Sequence, residues 1–141
     1  YFACHQYFYE AAVMIASAAV ADYRPKNVAD QKIKKQEDTL TIELIKNRDV
    51  LQSLGAVKDK QFLVGFALET ENEIENAKAK IKKKNLDLIV LNSLQDPGAG
   101  FGGNTNKVTF IDKHHQIQNF QLKSKEEVAN DLIAKIIDAI L

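Results

Sequence analysis

Cysteine is nearly missing from this 141-residue chain: Cys4 stands alone, so neither an internal disulfide nor a multi-cysteine zinc site can form. A reducing, cytoplasmic setting is expected. With 2 Pro, 6 Gly and no Trp, and with 45% hydrophobic against 27% charged residues, fibrous, low-complexity and disordered classes are excluded. An excess of one charge is also missing. The 19 Lys+Arg balance 19 Asp+Glu, so no global field draws nucleic acid or an anionic membrane, and any anion site must be built locally. The longest apolar stretch, Ala11 to Ala21, is about half the roughly 20 residues that span a bilayer, so no transmembrane segment is read. The chain opens on Tyr1 without a basic leader, which argues against a signal peptide and for a start inside something longer. A mass of 15.8 kDa fits a single domain spanning residues 1–141.

What is present alternates strand-like and helix-like segments, and the strands are mostly continuous apolar runs, the pattern of a parallel sheet covered on both faces. Tyr1 to Tyr9 reads as a short helix end and Ala12 to Ala16 as a buried strand. Ser17 to Asp38, with Pro25 disfavouring helix at Arg24, reads as a long functional loop. Thr39 to Ile45 alternates Leu40, Ile42 and Leu44 with polar residues, a strand near an edge. Asp49 is expected to cap a short helix through Leu54, with Gly55 just past its end. Phe62 to Ala67 is a buried strand in which Gly65 marks close approach by another backbone or a ligand. Thr70 and Glu73 have capping-box spacing ahead of a helix with Ile74, Ala77 and Ile81 inward and Lys78, Lys82 and Lys83 in solvent. Leu86 to Leu91 is another buried strand, Ser93 to Asn106 a Gly-rich loop, and Lys107 to Asp112 with Ile117 to Leu122 an edge hairpin. Ser124 and Glu127 form a second capping box before a closing helix on Val128, Leu132, Ile136 and Ile140.

Several side chains invite chemistry. Gly98, Gly100 and Gly103 match G-x-G-x-x-G, but a strand follows where a dinucleotide site needs a helix N-terminus, so a nicotinamide-dependent dehydrogenase ranks third. The run Lys32, Ile33, Lys34, Lys35 and the lysines at 78, 80, 82, 83 and 84 read first as solvated faces. Lys80 and Lys84, one helical turn apart, can also grip a polyphosphate. Cys4 and His5 lack the partners of a thiol nucleophile, and His114 and His115 in a turn are too few for a metal, so no metal ligand is assigned. Asp22 follows a buried strand and a small-residue run, and ligands of open α/β sheets bind outside the carboxyl ends of strands.

Taken together, Ser17-Ala18-Ala19-Val20-Ala21-Asp22-Tyr23-Arg24-Pro25 followed by Lys32-Ile33-Lys34-Lys35 resembles bacterial phosphopantothenate-cysteine ligase. Asn47-Arg48-Asp49-Val50 is similar to that family's N-P-D-I/V turn, Gly65-Phe66-Ala67-Leu68-Glu69-Thr70 to its G-F-A-x-E-T, and Lys84-Asn85-Leu86-Asp87-Leu88-Ile89-Val90 to its K-x-x-D-x-I-V/C. Gly100, Phe101 and Asn106 also fall in register, and the motifs keep one order from Ala12 to Leu141. The resemblance, with the strand pattern, implies an α/β fold: a Rossmann-like three-layer sandwich with a mostly parallel sheet and a C-terminal edge hairpin. It implies a ligase acting in coenzyme A biosynthesis, which activates 4'-phosphopantothenate with CTP and Mg²⁺ as an acyl-cytidylate, then joins it to cysteine with release of CMP. FMN would belong only to a decarboxylase domain outside this chain. By motif position, Ala16, Ser17, Ala18 and Asp22 would contact the nucleotide, Arg48, Asp49, Val50 and Leu51 would line its pocket, and Phe66, Lys80 and Lys84 would complete it. Lys32 would be the catalytic group, on a mobile loop near the reacting phosphate. Family members commonly form homodimers, and neither nucleic acid nor membrane is an expected partner. Arg48 stands where the family usually has Pro, and the family's first strand and Gly-rich turn have no counterpart before Tyr1. An exposed sheet edge follows from that expectation. A module that binds nucleotide without catalysis is the alternative.

Overall fold

A computed structural model describes residues 1–34, 39–93 and 103–141. In chain order its elements are α1 (Phe2–Phe8), β1 (Val13–Ala16), β2 (Tyr23–Pro25), β3 (Leu44–Lys46), α2 (Val50–Ala56), β4 (Phe62–Glu69), α3 (Glu73–Lys84), β5 (Leu88–Ser93), β6 (Thr105–Asn106), β7 (Val108–Asp112), β8 (Ile117–Asn119), β9 (Lys123–Ser124) and α4 (Lys125–Ile140). They fall into two compact units, Tyr1–Ser17 with Val50–Leu141, and Ala18–Asp49.

The larger unit is a five-stranded sheet in the order β1-β4-β5-β7-β8. β1, β4 and β5 are parallel, and β7 and β8 close the sheet as the antiparallel hairpin read from the sequence. Because side chains alternate across a strand, the apolar runs supply two cores. Leu63, Ala67, Ile89, Leu91 and Ile111 meet Phe8 of α1, Leu54 of α2 and Ala77 and Ile81 of α3. Val64, Leu88, Val90, Val108 and Phe110 meet Val128, Leu132 and Ile136 of α4. Three layers result, as expected, and each fully buried Leu, Ile, Val or Phe contributes about 1.5–3 kcal/mol of apolar burial. Ser124 caps α4 as the sequence predicts: the Glu127 N–H donates to Ser124 Oγ at 3.1 Å, and the Ser124 N–H donates to Glu127 Oε2 at 2.8 Å.

Three local expectations change. Gly55 lies inside α2 rather than past its end. It is glycine because α3 ends against it: an added Cβ would stand 1.9 Å from the Lys84 carbonyl oxygen, and Asn85 Nδ2 donates to the Gly55 carbonyl at 3.0 Å. The cap of α3 is Asn72, not Thr70. Asn tolerates the left-handed backbone found there, φ 47°, and the Asn76 N–H closes the first turn on the Asn72 carbonyl at 2.9 Å. Gly65 is approached by side chains, not by a backbone: its Cβ would meet Leu86 Cδ1 at 2.8 Å and Leu51 Cδ2 at 3.0 Å.

The smaller unit corrects the long-loop expectation for Ser17 to Asp38. Tyr23–Pro25 pairs antiparallel with Leu44–Lys46, so part of that stretch is strand, and the predicted strand at Thr39 to Ile45 is shifted to begin at Leu44. A three-residue strand containing proline has no local signature, since pairing with a distant segment defines it, and proline is tolerated on an edge. Beyond the ladder, the Asn47 N–H donates to the Asp22 carbonyl and Asn47 Nδ2 to the Ala21 carbonyl, both at 2.7 Å. Arg24 Nη1 reaches Asn47 Oδ1 at 2.8 Å, and Lys26 pairs with Glu43 at 2.7 Å. Among the described residues, no helix is long and apolar enough to cross a membrane.

Candidate functional site

The parallel strands of the larger unit end at different heights. β1 stops at Ala16, opposite Gly65, whereas β4 runs on to Glu69 with Phe66 to Glu69 paired to β5. The sheet therefore has a step at its carboxyl end, where open α/β folds bind ligands. Around it lie several of the residues singled out by motif. Ala16 is half-buried and Ser17, immediately after it, is exposed. Leu51 lies over Gly65 from α2, and Val50 packs with it against the α2/α3 core. Phe66 belongs to the other face, packed against the α4 core. The sheet thus separates Phe66 from Val50 and Leu51, which adjacency in a motif list does not convey.

Lys82 and Lys83 are exposed, as the sequence predicts, but Lys80 differs from a simple solvated charge. Lys80 Nζ donates to Glu69 Oε1, the carboxylate that ends β4, while Asn76 Nδ2 donates to Glu69 Oε2 at 3.2 Å and to the Glu71 carbonyl at 2.9 Å. Asn76, Lys80 and Lys84 succeed one another by one helical turn, and Lys84 closes α3 beside Gly55. Glu69 and Asn76 carried no assigned role from the sequence. The available signal was a carboxylate terminating an otherwise apolar strand.

Ala18, Asp22, Lys32 and Arg48 belong to the smaller unit and are exposed, with Asp49 half-buried at its end. Asp22 is held through its backbone carbonyl by Asn47, leaving its carboxylate out of that bond. Lys35 and the glycines Gly98 and Gly100 lie outside the described residues. Among the described residues no group of three or more His, Cys, Asp or Glu side chains is arranged to hold a metal ion. Those residues form no cage for Mg²⁺, and Mg²⁺ commonly reaches such sites on substrate phosphates.

The amino end of the sheet carries a second carboxylate, Asp87, at the start of β5. It accepts Lys58 Nζ at 2.6 Å, the Leu63 N–H at 2.9 Å and Lys113 Nζ at 3.1 Å. Burial pushes its carboxyl up, but these three donors outweigh burial and hold it below the ordinary value of 3.8. Lys58 also donates to the Asn85 carbonyl at 3.0 Å. Asp87 therefore ties β4, β5, the end of β7 and the α2–β4 connection together, on the edge remote from the step. A further cavity of about 300 Å³ lies between α1 and β1, lined by Ala3, Cys4, Tyr7, Phe8, Ala11 and Met14. His5, next in sequence to Cys4, forms a hydrogen bond through Nε2 with Ser53 Oγ at 2.9 Å.

Residues 1–140 match the family described as DNA/pantothenate metabolism flavoprotein C-terminal domain. The chain belongs to this family. It is 52% identical over 134 residues to a cysteine/cysteine sulfinic acid decarboxylase from an unknown prokaryotic organism, covering 94% of this chain and 37% of that protein. It is 44% identical over 124 residues to the coenzyme A biosynthesis bifunctional protein CoaBC of Bacillus subtilis (strain 168), covering 88% of this chain and 30% of that protein. The chain thus spans about a third of the length of these curated relatives. The crystal structure of the C-terminal domain of a CoaBC protein superimposes with a TM-score of 0.77 at 38% identity, over 99% of this chain and 62% of the other. The DNA/pantothenate metabolism flavoprotein from Streptococcus pneumoniae, 24% identical, shares the fold with a TM-score of 0.72, over 91% of this chain and 63% of the other.

Proposed function

We propose that the chain works in coenzyme A biosynthesis as the CTP-dependent phosphopantothenate-cysteine ligase of this family. The observation that carries this reading is the stepped carboxyl edge of the sheet in a chain 44% identical to a coenzyme A biosynthesis protein, with Ala16, Leu51, Phe66 and the Glu69-held Lys80 around it. In the first step a carboxylate oxygen of 4'-phosphopantothenate attacks the α-phosphorus of CTP. An acyl-phosphate bond forms, the bond to the β-phosphate oxygen breaks, and pyrophosphate leaves. In the second step the amine of cysteine attacks the activated carbonyl, an amide forms, and CMP leaves as the amine gives up a proton. Both steps build negative charge on phosphate oxygens, which fixed cations stabilise. Lys80 and Lys84 supply charge to the triphosphate, and Lys32 to the reacting phosphate. Mg²⁺ supplies charge neutralisation on the triphosphate when bound. Asp22, Asp49, Arg48, Ala18 and Ser17 contact or line the nucleotide in this reading, and Val50 supports the pocket from the core side.

A homodimer in a cytoplasmic setting belongs to the same reading. The homodimer is supported by the smaller unit, where Tyr23 and Leu44 of the two-stranded ribbon and Leu40 and Ile42 ahead of it are exposed apolar side chains. Sedimentation that stays monomeric at all concentrations refutes it.

The test of the reaction is pyrophosphate release from CTP, 4'-phosphopantothenate, Mg²⁺ and cysteine, each omitted in turn. Release that needs both CTP and the acid is expected; without it the same assay goes to a chain extended upstream, and silence there rejects the ligase. CTP binding without release would favour the non-catalytic nucleotide module instead. The decarboxylase name of the 52% identical relative motivates a second readout in the same tubes, CO₂ from cysteine or cysteine sulfinic acid. Lys32→Gln is expected to lower turnover more than it weakens CTP binding; equal turnover in variant and parent removes Lys32 from catalysis.

A further inference from the structure

We propose that Glu69 is a positioning residue for the triphosphate grip, its carboxylate holding the Lys80 ammonium in place at the carboxyl end of β4. The inference rests on the ligase reading and adds to it a residue that the nucleotide-contact set does not include. The side chain of Glu69 is 13% exposed and that of Lys80 41%, so the carboxylate is the inner, fixed partner and the ammonium the outer one. Glu69 is fixed twice over. Its backbone is the last of β4, in register with Ser93, and its second oxygen accepts Asn76 Nδ2 from the turn of α3 that precedes Lys80. Asn76 is itself anchored to the Glu71 carbonyl.

The physical consequence concerns order. A lysine that must stop rotating when ligand arrives loses side-chain entropy at that moment. Lys80 is already ordered by Glu69, and an ammonium has three N–H donors, so one bond to the carboxylate leaves capacity for phosphate oxygens. Glu69 itself is an anion and would repel a triphosphate directly. A favourable effect of Glu69 on CTP must therefore pass through Lys80, and that makes the inference separable from a general structural role.

The experiment is titration calorimetry with CTP and with CMP, in the presence of Mg²⁺, on the parent chain, Glu69→Ala, Glu69→Gln, Lys80→Met and the Glu69→Ala/Lys80→Met double variant. Glu69→Ala is expected to weaken CTP about three- to tenfold, the effect of freeing one rotamer-rich side chain, and to leave CMP unchanged because CMP lacks the outer phosphates. Glu69→Gln keeps an acceptor oxygen and recovers part of the loss. In the Lys80→Met background Glu69→Ala is expected to cost nothing further. Equal CTP affinity in parent and Glu69→Ala, or an equal loss with and without Lys80, overturns the inference while the ligase reading stands. A parent that binds no CTP overturns that reading and this inference with it. If Glu69→Ala does not fold, Glu69→Gln carries the same cycle with the same criteria.

Discussion

The two ends of the central sheet each hold a carboxylate gripped by lysine, and they differ in how far the lysine is buried. At the amino end Asp87 is 6% exposed and surrounded by Lys58, Lys113 and the Leu63 N–H, with Lys58 itself 11% exposed. At the carboxyl end Glu69 is similarly sheltered, but its partner Lys80 is 41% exposed. A buried carboxylate whose cation is also buried is a fastener, because removing either partner strands a charge in a poorly solvated place. A sheltered carboxylate with an exposed cation presents that cation to solvent. Both carboxylates occur in family motifs, G-F-A-x-E-T and K-x-x-D, so motif membership alone does not separate fold from function.

The largest effect expected from this contrast is on stability at the amino end. Asp87→Ala leaves the Lys58 ammonium without its carboxylate and the Leu63 N–H without this acceptor, and is expected to cost about 3–5 kcal/mol, read by urea unfolding. A loss below about 1 kcal/mol would mean that the Asp87 cluster does not fasten the sheet. Titration offers a gentler version of the same test. Because the folded-state value of Asp87 lies below 3.8, its contribution is fully present above that pH and disappears as pH falls from there through the depressed folded value. Stability measured from pH 6 to pH 2 should therefore fall less steeply below about pH 4 in Asp87→Asn than in the parent. Parallel acid profiles would assign the acid sensitivity to other groups.

The two lysines on Asp87 sharpen the point at smaller scale. Lys58 is 11% exposed and also bonds the Asn85 carbonyl, whereas Lys113 is 55% exposed. Lys58→Met is expected to cost about 1–3 kcal/mol. Lys113→Met, an exposed arm of the same cluster, should cost about 1 kcal/mol or less. Reversal of that order in thermal unfolding would show that burial is not what ranks these ion pairs.

Much of this architecture is legible in the sequence. The runs Phe62 to Ala67 and Leu86 to Leu91 announce buried parallel strands, and Ser124 with Glu127 announces α4, because each signal is local to a few residues. What escapes is whatever a distant partner decides. Tyr23–Pro25 is a strand only because Leu44–Lys46 pairs with it. Gly55 is required by a carbonyl of Lys84, and Asp87 is completed by lysines 29 and 26 residues away. The candidate site divides the same way. The ordered motifs bring Ala16, Phe66 and Lys80 into view, but the sheet register decides that Phe66 faces α4 while Leu51 faces β4 from the other side. The pairing of Glu69 with Lys80 depends on where β4 ends relative to α3, which no spacing rule gives.

The smallest stability effect is expected where the binding effect is largest in kind. Glu69→Ala removes an ion pair whose cation is 41% exposed, and solvent can take over hydration of the released ammonium. Its cost in urea unfolding should be about 1 kcal/mol or less, well under that of Asp87→Ala. Asn76 loses one of two acceptors but keeps the Glu71 carbonyl, so the first turn of α3 retains its tie. A cost comparable to that of Asp87→Ala would erase the distinction between the two ends of the sheet and make Glu69 a second fastener. A near-neutral cost joined to weaker CTP binding would instead mean that this ion pair serves the ligand rather than the fold.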